Sequence, residues 1–99
     1  MGTSTSIIEK TRIKVKEPKR YKVIMHNDDF TSMEFVIFVL MNIFNKNEME
    51  ANDLMMKVHK GGSAVVGTYS YDIARSKVEE TTLLAREDGF PFKVTMEVA

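Results

Sequence analysis

Tyr21, Val23 and Met25 alternate with Lys22, Ile24 and His26, a period of two that sends successive side chains to opposite sides of a strand. The run stops at Asn27-Asp28-Asp29, whose short polar side chains suit a turn. Thr31 then stands three positions before Glu34, the spacing at which hydroxyl and carboxylate satisfy each other's exposed N–H groups at a helix start. A first helix is therefore expected over residues 32–44. It holds Met33, Phe35, Val36, Ile37, Phe38, Val39, Leu40, Met41, Ile43 and Phe44, apolar around most of its circumference instead of along one stripe. One buried face cannot use them all. Either the helix is a well-covered core element with a few stray exposed side chains, or part of it lines a groove for something apolar.

Asn47 and Glu50 repeat the capping-box spacing, so a second helix is expected to run to Lys60, where Gly61 and Gly62 can take the positive φ of a helix end. Its Met55, Val58 and His59 are at i, i+3 and i+4 and share a face. Residues 64–71 are rich in strand formers, with Gly67 marking a bulge or a close approach. Ser70 is the expected cap of a third helix, which carries Ala74, Val78, Thr81 and Ala85 on one face with Ile73 and Leu84 beside them and ends at Gly89. Pro91 opens a last strand in which Phe92, Val94 and Met96 alternate with Lys93, Thr95 and Glu97.

The order is β-α-α-β-α-β. One helix joins the second and third strands, so they run parallel to each other, and the first fits antiparallel between them. The expected fold class is α+β: two layers, with a three-stranded antiparallel sheet covered on one face by three helices. At 99 residues the chain fits one domain, its core over residues 21–99. Residues 1–20 read as a flexible basic extension. Seven Lys or Arg stand against two Glu between Glu9 and Lys22, although the chain's formal net charge is +0. Thr11, Ile13 and Val15 alternate with Arg12, Lys14 and Lys16, which predicts a short edge strand there.

The composition, 43% hydrophobic and 28% charged, is that of a soluble globular protein. The basic arm raises nucleic acid as a partner, but Tyr21 is its only aromatic and offers no set of stacking rings among the cations. A solvated or protein-contacting tail is the expectation. Cysteine is absent, which removes disulfides and thiolate metal sites. No apolar run approaches the ~20 residues that span a bilayer, and residues 1–6 lack the order of a secretory signal. A cytoplasmic protein with no membrane partner is expected.

Catalytic signatures are missing: no Gly-rich phosphate loop, no Gly-x-Ser-x-Gly elbow, no His pair at metalloprotease spacing, and only His26 and His59 in the chain. What remains is Asn27-Asp28-Asp29 at a strand-to-helix turn, with His59 near the end of the second helix. The carboxylates can simply favour the positive end of the first helix, with His59 a solvated last-turn residue. A metal site from Asp28, Asp29 and His59 is a weaker alternative, without recognisable loop spacing.

The run Asn27-Asp28-Asp29-Phe30-Thr31-Ser32-Met33-Glu34-Phe35-Val36, followed by Leu54-Met55-x-x-Val58-His59, resembles the ClpS adaptor family. Gly67 with an aromatic two residues on, Lys77 and the late Pro91 strand extend the likeness over nearly all the chain after the arm. The resemblance implies a fold shared with a ribosomal stalk-protein domain. It also implies an adaptor without catalysis or cofactor, which binds N-degron proteins beginning with Leu, Phe, Tyr or Trp. The expected partner is the N-domain of the ClpA-type AAA+ unfoldase of the ClpP protease. Carried over by residue, it assigns α-amino contacts to Asn27, Asp28 and His59. Thr31, Met33, Val36, Met55, Val58 and Phe92 are then side-chain pocket positions, and Asp72 and Lys77 unfoldase contacts. Ser32 replaces a common Pro of the family, Phe38 a polar residue, His26 an aliphatic and Asp72 a Glu.

The chemistry suits these residues. A free α-amino group ordinarily titrates near pH ~8, so at neutral pH a chain start is mostly an ammonium and offers three N–H donors that an internal residue lacks. Asp28 can supply a carboxylate, Asn27 an amide oxygen and a neutral His59 a ring nitrogen. Two rivals stay open. In one, a stalk-like docking module uses the exposed part of the first helix and the acidic turn is only a cap; in the other, the chain is a small metal-dependent hydrolase.

Overall fold

The computed structural model describes residues 18–99, in which six elements follow one another: β1 (Arg20–His26), α1 (Met33–Asn42), α2 (Glu48–Gly61), β2 (Ser63–Ser70), α3 (Tyr71–Glu87) and β3 (Lys93–Val98). The strand expected at Thr11, Ile13 and Val15 lies outside the described residues. β1 is the middle strand of a sheet ordered β2-β1-β3 and is antiparallel to both neighbours, so β2 and β3 run parallel to each other as their one-helix connection predicts. Period two turns Val23 and Met25 to the core, where neither keeps any exposed surface. On the opposite side Lys22 pairs with Glu97 at 3.1 Å.

The helices cover one face of this sheet. α3 packs on all three strands, α1 packs on α2, and α2 packs on β2. Between them lie Val39, Leu40, Ala51, Val58, Ala74, Ala85 and Phe92, all buried. Each large apolar side chain so enclosed stabilises the fold by ~1.5–3 kcal/mol relative to leaving it in water. No described helix is long and apolar enough to cross a membrane.

Three local expectations change. The first helix is capped by Ser32, whose hydroxyl oxygen accepts from the Phe35 N–H at 3.1 Å. Thr31 does not cap it, because its own hydroxyl donates backwards to Asp28. The helix also stops at Asn42, before Phe44: Asn45 takes φ 56 and the Lys46 N–H reaches the Leu40 carbonyl at 2.9 Å. Asn tolerates that left-handed conformation better than other non-glycine residues, and this is the signal the apolar run concealed. On α3, Ile73 is half exposed instead of lying beside the buried face, and Ser70 occupies the cap position without a side-chain cap bond.

Other signals held. Asn47 and Glu50 form both halves of the capping box at α2, with Glu50 N–H to Asn47 Oδ1 at 2.8 Å and Asn47 N–H to Glu50 Oε1 at 3.1 Å. Gly62 closes the helix at φ 89. Val23 faces Gly67 while Ile24 faces Val65, so Val66 is the extra residue of a β-bulge. At Gly67 a Cβ would stand 2.6 Å from the Tyr69 hydroxyl oxygen and 2.9 Å from its Cζ. The Tyr69 ring is itself held by Phe44 and by the Lys77 ammonium, so it has little room to retreat. Gly67→Ala is expected to destabilise the domain by ~1–3 kcal/mol in urea unfolding, through overpacking. Tyr69→Phe in the same background should recover part of that loss.

Candidate binding site

Between β1 and α1 the chain must reverse, and Asp28 organises the reversal. Its Oδ1 accepts from the N–H groups of Phe30 at 2.8 Å and Thr31 at 2.6 Å, and its Oδ2 accepts from the Thr31 hydroxyl at 2.7 Å. An ionised carboxylate offers about four lone-pair sites. Three are thus committed to the turn, which leaves one on Oδ2 without a hydrogen-bond partner among the described residues. Burial pushes the Asp28 carboxyl up. The Thr31 N–H and hydroxyl, the Phe30 N–H and the positive charge of Arg86 outweigh it and hold the group below its ordinary value.

A second tie brings α2 to this turn. The Asn27 N–H donates to the Gly62 carbonyl at 2.8 Å, and the Gly62 N–H donates to the Val58 carbonyl at 2.9 Å. The last turn of α2, with exposed His59, is thereby set beside Asn27 and Asp28. α1 supplies Met33 and Val36, α2 supplies Met55 and Val58, and the segment before β3 supplies Phe92. Together they enclose a pocket of about 420 Å³. Phe92 is only 1% exposed and stands edge-on to Phe35 at 6.1 Å. Met33, 44% exposed, stands at the rim.

The structure therefore gathers Asn27, Asp28, Thr31, Met33, Val36, Met55, Val58, His59 and Phe92 around one cavity. Its walls also include Asp29, raised from the sequence only as a turn residue and metal-site alternative, and Phe30 and Ser32, which were not assigned to the pocket although they sit in the same turn. Arg86 was missed too, being distant in sequence. The apolar excess of α1 is explained in part: Met33 and Val36 line the pocket, while Phe38 remains 50% exposed. Asp72 and Lys77 lie elsewhere, on α3. Asp72 is exposed in its first turn. The Lys77 ammonium donates to the Ile43 carbonyl at 2.6 Å and lies over the rings of Phe44 and Tyr69 at 5.5 and 5.4 Å, steadying the end of α1. Among the described residues no three His, Asp or Glu side chains converge as a metal site needs.

Fold and pocket define a small α+β domain in which one cavity is lined by both hydrogen-bond acceptors and apolar side chains. Residues 16–95 match the family of the ATP-dependent Clp protease adaptor protein ClpS. The ATP-dependent Clp protease adapter protein ClpS of Clostridium acetobutylicum is 48% identical over 98 residues, covering 97% of each chain. That of Wolinella succinogenes is 50% identical over 88 residues, covering 89% of this chain and 86% of its own. The structure of Agrobacterium tumefaciens ClpS2 bound to L-phenylalaninamide superposes with a TM-score of 0.81 at 44% identity, covering 84% of this chain and 100% of that one. The chain belongs to the ClpS family of Clp protease adaptors.

The depressed Asp28 carboxyl carries a consequence for stability. Above the unfolded value of 3.8 the ionised group favours the folded state, and this contribution disappears as pH falls through the lower folded value. Asp28→Asn should therefore show a shallower loss of stability than the parent as pH falls below 3.8 in denaturant titrations.

Proposed function

We propose that the pocket receives the first residue of a polypeptide, its free α-ammonium at the Asn27–Asp28–His59 end and its bulky side chain against Met33, Val36, Met55, Val58 and Phe92. The observation that carries this reading is the joining of acceptors and apolar wall in one cavity of about 420 Å³. The ligand of the related ClpS2, L-phenylalaninamide, has the same two parts, an α-amine and a large side chain. In this reading Thr31 fixes Asp28, and the chain is an adaptor with no catalytic step of its own. It binds N-degron proteins beginning with Leu, Phe, Tyr or Trp and presents them, in the cytoplasm, to a ClpA-type unfoldase of the ClpP protease.

The energetics fit an adaptor that must let go. Hydrogen bonds to a charged group contribute ~1.5–3 kcal/mol each and a buried large side chain ~1.5–3 kcal/mol, before the entropy of association is subtracted. Micromolar binding, roughly 8 kcal/mol, is the expected range. For the unfoldase, exposed Asp72 offers a carboxylate on the α3 face. Lys77 has three N–H donors, and with one directed at Ile43 it can offer the other two.

Titration with peptides beginning Phe or Leu tests the reading against a docking module built on α1. Acetylating the peptide N-terminus should weaken binding by about tenfold or more, since it removes a charge-assisted contact. Equal affinity for both forms would favour the docking module. Met33 at the rim should crowd side chains branched at Cβ. In Met33→Ala, peptides beginning Ile or Val should gain about tenfold relative to Leu, and unchanged discrimination would remove that role.

A further inference from the structure

We propose that Arg86 is a positioning residue that fixes Phe92 as the floor of the pocket and so sets how well the pocket holds an aromatic first residue. Arg86 stands in the last turn of α3. From there its Nη1 donates to the carbonyl of Phe90 at 2.8 Å and to that of Phe92 at 3.1 Å. Those carbonyls flank Pro91, which has no N–H of its own to give the segment. Phe92 also lies just outside the sheet ladder, whose terminal pair joins His26 to Lys93.

The backbone beneath the pocket floor is therefore tied to α3 by a guanidinium where sheet pairing has not yet begun. Two rings depend on it. Phe90 packs on Phe35 with centroids 5.1 Å apart, and Phe92 stands edge-on to the same ring at 6.1 Å. A turn of residues 90–92 would displace both and open the end of the cavity that a long first side chain reaches. The planar guanidinium suits two neighbouring acceptors, whereas a lysine ammonium on a flexible stem can only partly replace it. The charge of Arg86 is also the least of the influences that hold the Asp28 carboxyl below its ordinary value.

The effect on specificity rests on the first-residue reading; the effect on Phe92 does not. The test uses the full chain with Arg86→Gln and Arg86→Lys, and with Arg75→Gln as control, because Arg75 pairs on the surface with Glu79. Aromatic NMR spectra of the free proteins should show displaced Phe90 and Phe92 ring signals in Arg86→Gln, smaller displacements in Arg86→Lys and none in the control. The ratio of affinities for Phe- over Leu-starting peptides should fall about fivefold in Arg86→Gln and recover in part with Lys. Unmoved Phe92 signals in a folded Arg86→Gln protein would overturn the proposal, and so would an unchanged Phe-to-Leu ratio. Should Arg86→Gln not fold, Arg86→Lys carries both measurements. If acetylation proves harmless to the parent, the first-residue reading fails while the ring signals still decide the role of Arg86.

Discussion

The polar end of this site depends on one carboxylate that holds a turn together. Asp28 is the hub of the turn between β1 and α1, accepting from Phe30 and twice from Thr31, and those bonds keep it ionised against the cost of its partial burial. A side chain tied down in this way cannot swing toward solvent, so its remaining acceptor site has a fixed direction. Preorganisation of this kind lowers the ordering cost of binding. The same bonds explain why Ser32, and not Thr31, caps α1: the Thr31 hydroxyl already has an acceptor.

The apolar half of the pocket has a different logic. Its walls come from elements held together by the core, and the tie from Asn27 to Gly62 sets the end of α2 against the end of β1. Two of its walls are methionines, Met33 and Met55, whose unbranched thioethers can adjust to aliphatic or aromatic partners. Rigid acceptors beside adaptable apolar walls suit a site that demands an ammonium yet accepts several large side chains. On α3, the Lys77 ammonium steadies the end of α1 through the Ile43 carbonyl.

Much of this was legible in the sequence because short-range chemistry decides it. Period-two alternation located β1, the Asn47–Glu50 spacing located α2, and the run Asn27-Asp28-Asp29 beside a helix start marked the turn. The one-helix connection between the second and third strands made them parallel and left room for β1 to fit antiparallel between them, as it does. The resemblance on motif residues then named a set of pocket positions that the fold brings to one cavity. Where reading failed, tertiary or competing local bonds had decided. The apolar run of α1 carries on through Phe44, which hides the turn that Asn45 makes at φ 56. Ile73 looked like a neighbour of the core face by type and spacing, yet it is half exposed, while Ala74, Thr81 and Ala85 are the buried residues of α3. Arg86 could not be found from spacing, because the carbonyls it holds become neighbours only when α3 turns back into β3.

The central claim is that Asp28 reads a cationic chain start, and a thermodynamic cycle tests it most directly. Affinities of one Phe-starting peptide, free and N-acetylated, would be measured for the parent and for Asp28→Asn. If the carboxylate meets the ammonium, the penalty for acetylation shrinks several-fold in the variant, because the two changes remove the same interaction. An acetylation penalty of equal size in both proteins would contradict the account and leave Asp28 as a turn-former only.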